Sequence, residues 1–202
     1  MAKLLDTYEP AALLARASEF RAAGYSAACF YYFRTSLFKE RMTLPIARAL
    51  CAWGFFLVAV WENGQPTSHA YFTPAQGRRD ASGALLRARA LGQPPGSPIY
   101  FAIDYDAAPG DLAAIAAYFA AIQPVLRAAG YEAAGYGSGA ALAHLHSLGL
   151  VTWTWLAQST GWAGWAAFRA QANIVQGPEH SVFGLDVDED ESSPRGGGGW
   201  KV

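Results

Sequence analysis

Short runs of β-branched and aromatic residues alternate along this chain with Ala-rich stretches of helical periodicity. Leu4–Asp6 predicts a first strand and Ala11–Ala23 a first helix, with Pro10 near its start and Gly24 where a closing glycine belongs. Tyr25–Phe33, Phe55–Glu62, Pro98–Asp104, Glu132–Tyr136 and Thr152–Ala157 predict further strands. Between them fall helices at Leu44–Trp53, Pro74–Leu91, Asp111–Ala129, Ala140–Ser147 and Trp162–Ala170. Thr43 and Thr73 stand as N-caps, and Gly54, Gly92 and Gly130 close their helices. Asn173–Gln176 and Val182–Asp186 predict two final strands with no room for a helix between them.

Strand–helix alternation with nearly continuous apolar strands is the mark of an α/β protein whose parallel sheet is covered by helices. Eight strand candidates point to a (β/α)8 TIM-type barrel with irregular, helix-poor final strands, and a doubly wound open sheet is the alternative. At 202 residues the chain lies at the lower end of the barrel range. No repeat at solenoid periods interrupts a single domain over residues 1–190. Residues 191–202 read as a flexible acidic, Gly-rich tail, with Trp200 able to dock back.

Composition narrows the function classes. Charged residues make up only 15% of the chain, which excludes disorder for most of its length. With 15 Lys and Arg against 16 Asp and Glu, there is no basic surface for binding nucleic acid. The apolar stretch Ala49–Trp61 contains Gly54 and is shorter than the ~18–20 residues that cross a bilayer, so no membrane span is expected. MAKLLDTYEP has no basic-then-apolar signal, which leaves the cytoplasm or another export route. Cys29 and Cys51 read as two buried thiols. The sequence leaves the oligomeric state open.

The position of the acids is more informative than their number. Asp6, Glu62, Asp104 and Asp186 each stand at or near the C-terminal end of a predicted strand. In a parallel barrel all those ends open on one rim, where this fold builds active sites. Like charges brought together raise one another's pKa, which suits general acid chemistry. Asp106 follows Asp104 by two, so on a strand both would share a face at a separation compatible with a glycosidase carboxylate pair. The plainer alternative makes Asp106 a helix or turn cap and Asp104 a hydrogen-bonded loop acid. Tyr8, Tyr31, Trp61, Tyr105, Tyr136 and Trp155 lie near strand ends, where rings could stack on sugars. Core packing is the better reading for any single ring except Tyr136 and Trp155. Gln158 could reach substrate from the sixth strand or satisfy local backbone.

The strings LLDTYEP, FTPAQGRRDASGALLRARALG, PIYFAIDYDA, AAGYGSG, TWLAQSTGW, IVQG and GLDVDED run in order across essentially the whole chain. As an ordered set they resemble the glycoside-hydrolase-like family of bacterial domains related to the family-25 lysozymes, which cleave peptidoglycan. The resemblance implies a (β/α) barrel with an acidic pocket at its C-terminal rim and a cell-wall glycan, peptidoglycan first, as partner. It maps Asp6 onto the first-strand acid, and Asp104 onto the acid that assists the substrate's acetamido group. Asp106 falls at the place of the general acid, and Asp186 at the last-strand acid. Where the lysozyme motif has Glu, this chain has Asp106, one methylene shorter. Either the backbone compensates, or Glu62 takes over as acid, or the domain binds glycan without cutting it.

Other motifs fail on inspection. Gly135–Gly139 lacks the last glycine of a dinucleotide fingerprint, and Tyr136 and Ala140 spoil a nucleophile elbow around Ser138. His144 and His146 are two apart on a predicted helix and do not share a face. Asp186, Asp188 and Asp190 begin like a calcium loop, but the sixth position is Glu191 and the twelfth Gly197. No metal and no cofactor is expected.

Overall fold

The computed structural model describes residues 1–35, 41–192 and 197–202. Eight strands close into one barrel in chain order: β1 Ala2–Asp6, β2 Tyr25–Tyr32, β3 Phe56–Trp61, β4 Pro98–Ala102, β5 Glu132–Gly137, β6 Trp153–Leu156, β7 Ile174–Val182 and β8 Leu185–Ser192. β1 through β7 pair in parallel, whereas β8 runs antiparallel to both β7 and β1. The helices are α1 Pro10–Ala15, α2 Ala17–Ala22, α3 Leu44–Ala52, α4 Pro74–Leu91, α5 Leu112–Ala128, α6 Gly139–Ser147 and α7 Trp165–Phe168. Thr43 and Thr73 cap α3 and α4 by accepting from the N–H of Ile46 and Gln76. Ser138 does the same for α6, so its hydroxyl has a structural role in place of a nucleophilic one.

The structure differs from the sequence expectations at several elements. The first predicted helix breaks at Arg16, whose φ/ψ of −115°/14° are not helical. Trp162–Ala170 condenses to one turn. The fourth strand ends at Ala102, because the Asp104 N–H leaves the sheet to donate to Pro66 O at 2.9 Å. The two final strands are longer than expected and form a hairpin through Phe183 (φ 52°) and Gly184 (φ 75°). Two successive left-handed residues are what a tight hairpin turn needs. Phe183 is held in that costly conformation from outside: its ring meets Phe20 edge-on at 5.2 Å, and its carbonyl accepts from Arg16 Nε at 2.7 Å.

Two apolar regions hold the fold. Leu4, Ala27, Cys29, Val58, Val60, Tyr100, Ala102, Ala134, Trp155 and Ile174 fill the barrel. Outward residues such as Leu57, Trp61, Phe101 and Ala133 pack under the helices. α5, with its preceding turn, is apolar and long enough to cross a membrane by composition, and the Ala49–Trp61 stretch is not. In the fold it buries Ile115, Tyr118, Phe119, Ile122 and Leu126.

The tail is part of the domain at both described ends. Glu191 and Ser192 complete β8, and Trp200 is buried against Phe30, exchanging two hydrogen bonds with Leu57 at 2.8 and 2.9 Å. Gly197 O accepts from the buried Tyr100 hydroxyl at 3.0 Å. At Gly198 (φ 67°) a Cβ would stand 2.3 Å from the Pro98 ring, so only glycine passes there. Residues 193–196 lie outside the described residues. Trp200→Ala should therefore cost about 3 kcal/mol in urea unfolding. An unchanged midpoint would show that the tail is dispensable.

Candidate functional site

Inward positions on five strands meet at the C-terminal rim. Asp6 ends β1, Tyr31 comes from β2, Glu62 follows β3, Tyr136 comes from β5 and Gln176 from β7; with Val60 and Trp155 they line a cup of about 20 Å³, room for one water-sized group. Larger cavities lie elsewhere. One of about 510 Å³ opens at the opposite mouth beside Gly197–Gly199, and one of about 630 Å³ runs along the flank of the hairpin, where no helix follows β7. Neither holds the converging acids.

Because β8 is antiparallel, its rim residue is set by register with β1. Asp188 pairs with Asp6, and Asp190 with Leu4. Asp186 lies beyond the rim in the hairpin and is exposed, so the last-strand acid of the site is Asp188. Choosing Asp186 supposes a strand that ends at the rim, whereas this strand begins above it.

Gln176 organises the pair. Its Nε2 donates to Asp6 Oδ2 at 2.7 Å and to Asp188 Oδ2 at 2.7 Å. Its Oε1 accepts from the Tyr136 hydroxyl at 2.8 Å and from the Gln158 backbone N–H at 3.2 Å. A backbone N–H can only donate, so it fixes which end of the amide is oxygen. Every donor and acceptor of this buried amide is thereby used. Asp6 Oδ1 takes a further hydrogen bond from the Tyr31 hydroxyl at 2.9 Å.

The electrostatics follow from burial and crowding. Burial, then the Asp188 charge, pushes Asp6 up to about 7, against the hydrogen bonds from Tyr31 and Gln176. Burial and then Glu179 push Asp188 up to about 6, opposed by Gln176 and His180. Burial, followed by carboxylates that include Asp6 and Glu62, holds the Tyr31 and Tyr136 phenols well above their usual range.

The remaining predicted residues are placed differently from one another. Asp104 is half-buried, and its charge acts on Tyr136. Asp106 is exposed, and its Oδ1 accepts from the Ala163 N–H at 2.8 Å, so it ties two rim loops together. Neither aspartate lies on a strand, which removes the shared-face argument for the pair. Trp155 is buried, its indole N–H donating to Asp190 Oδ1 at 3.3 Å, and it serves as a cup wall more than as an open sugar platform. Gln158 lines the flank cavity and touches the cup through its backbone. Among the described residues, no three His, Cys, Asp or Glu side chains are disposed to hold a metal ion.

The model of the Rv2525c-like, glycoside hydrolase-like domain matches residues 18–191. The chain belongs to that family. A curated relative, the uncharacterized protein YbfG of Bacillus subtilis (strain 168), is 30% identical over 164 residues, 74% of this chain. The matched part is only 22% of YbfG, so the chain spans less than a quarter of that relative. The crystal structure of the Mycobacterium tuberculosis Tat-secreted protein Rv2525c in complex with L-tartrate is similar at a TM-score of 0.80, with 22% identity and 98% of each chain covered. The bacterial lysozyme from Streptomyces coelicolor shares the fold at a TM-score of 0.62, with 13% identity, 95% of this chain and 92% of that chain covered. The Rv2525c-like domain here thus shares its barrel fold with that lysozyme.

Replacing Gln176 by Leu strands two carboxylates and a phenol. The variant should lose about 3–5 kcal/mol of stability, and the Asp6 titration followed by NMR should move above about 7. Raised carboxyls stabilise the fold at low pH and lose that contribution as pH rises through their folded values. Wild-type stability should therefore decline from about pH 4 to pH 7, and a flat profile would contradict the clamp.

Proposed function

We propose that this domain hydrolyses O-glycosidic bonds of bacterial cell-wall glycan, with peptidoglycan as the substrate. The observation that carries the reading is the convergence of Asp6, Glu62, Asp104 and Asp188 on one rim, with Asp188 lifted to about 6. Cleavage needs one carboxyl that holds a proton for the leaving oxygen and another that stays ionised beside the developing cation. Asp188 suits the first role: it is partly buried, it uses Oδ2 on Gln176, and its Oδ1, itself buried, has no donor and is the place for a proton. Glu62 lines the cup, and Asp104 stands close enough for its charge to act on Tyr136; these two are the candidates for the second role. The rings of Tyr31 and Tyr136 supply the flat, hydroxyl-tipped surface that a pyranose needs. The lysozyme-type architecture and the family's glycoside hydrolase-like character support the same substrate class.

A second reading is favoured by two observations: the cup is small, and Asp106, at the lysozyme acid's place in the motif, is engaged by Ala163. It makes the domain a barrel that binds cell-wall glycan without cleaving it.

A reducing-end assay on purified peptidoglycan and chitooligosaccharides over pH 4–8 separates them. Wild type should release reducing ends, Asp188→Asn and Glu62→Gln should each lose on the order of 100-fold or more, and Asp106→Asn should stay within a few-fold. Loss confined to Asp106→Asn would move the proton donor to that residue. Saturable glycan binding with no release would leave the binding barrel.

A further inference from the structure

Directly beneath the rim lies a carboxyl group that the proposed chemistry does not use. Asp190 projects from the inner face of β8, opposite Leu4 of β1 and Gln176 of β7, one inward step below Asp188. It is completely buried. Its Oδ1 accepts from the Trp155 indole N–H at 3.3 Å, and its Oδ2 has no donor. The titratable groups packed around it are Asp6 on β1, Cys29 on β2, Tyr100 on β4 and Asp188 on its own strand. None is a cation.

We propose that Asp190 is a positioning residue that keeps its proton, a neutral acid on the barrel axis supporting the Asp6–Asp188 pair from below. An ionised carboxylate here would be a desolvated charge with no counter-ion among the described residues, beside two more carboxylates. Gln176 has no donor left to offer it, since Asp6 and Asp188 take both N–H groups of the amide. Protonation resolves both difficulties. The oxygen without a donor becomes the O–H, and Asp190 adds no third charge beneath the pair. Burial and the neighbouring charges of Asp6 and Asp188 both act to hold that proton. Asp190 also fixes the indole that walls the cup, because Trp155 stands edge-on to Tyr136 at 5.4 Å and to Tyr100 at 5.8 Å.

The test needs no substrate, so it can fail or succeed independently of the glycan reading. The whole chain, labelled with 13C at aspartate side-chain carboxyls, is titrated from pH 4 to 8.5 by infrared and NMR spectroscopy. Wild type should keep one protonated-carboxyl band at pH 8 that Asp190→Asn lacks. Asp190→Asn preserves shape and a donor, so it should fold and leave the Asp6 midpoint in place. Its folding equilibrium should improve relative to wild type by up to tenfold per pH unit above about pH 4. Asp190→Leu leaves the Trp155 indole N–H without its acceptor and should cost stability that Asp190→Asn, which keeps that oxygen, does not. A wild-type Asp190 resonance that titrates in the ordinary carboxylate range, or a band unchanged in Asp190→Asn, overturns the proposal even if the Leu variant does not fold.

Discussion

The candidate site depends on one amide. The antiparallel return of β8 beside β1 sets Asp188 opposite Asp6, and like charges across a strand pair repel. Gln176 reconciles them by giving one N–H to each, while its oxygen is pinned by Tyr136 and the Gln158 backbone. Only a neutral side chain with two donors and two acceptors can do this. A glutamate would add a third charge, and a lysine would neutralise the pair it is meant to space. The raised proton affinities of Asp6 and Asp188 follow from this arrangement: burial pushes both upward, the Asp188 charge adds to it at Asp6 and the Glu179 charge at Asp188, and the amide prevents them from going further.

The barrel supports that arrangement unequally around its circumference. On the parallel side, helices shield the strands and reach the rim through polar contacts. Buried Asp80 of α4 accepts from Tyr118, and the Tyr71 hydroxyl, with a single proton to give, stands 2.7 Å from both Asp80 Oδ2 and Asn63 O, next to Glu62. The place of Glu62 is thus fixed partly by a helix outside the barrel. On the hairpin side no helix intervenes, and the strands are held by their own ladder and by Phe183, packed onto Phe20. That strained turn sets the hairpin register, and the register decides that Asp188, not Asp186, faces Asp6.

Most of the fold was readable because strand–helix alternation and helix caps are local signals; Thr43 and Thr73 cap where their spacing predicts. Asp6 and Glu62 were readable because an acid after an apolar strand has one plausible place in a parallel barrel. Asp188 was hidden because DVDED reads equally as an acidic turn, and the strand direction that selects among its aspartates is a tertiary fact. Gln176 carries no charge, and nothing along the chain marks an amide that will satisfy four partners. The spacing of Asp104 and Asp106 misled for a physical reason. The i, i+2 rule holds only within a strand, and the Asp104 N–H leaves the ladder for Pro66.

Depth orders the acids of this barrel. Asp190 is walled in completely and its proton affinity is pushed well up; Asp6, buried but served by two donors, reaches about 7; Asp188, nearer the solvent, reaches about 6. Desolvation is the largest influence on each, so the order reflects the geometry of the barrel more than any one contact. As pH rises, the outermost group gives up its proton first, and negative charge gathers at the rim while the axis stays neutral. The acid nearest the solvent is therefore the one whose proton is the least tightly held of the three. Behind it stand groups that hold their protons to higher pH. That separation between a titrating rim and a neutral interior lets several carboxylates share a small barrel.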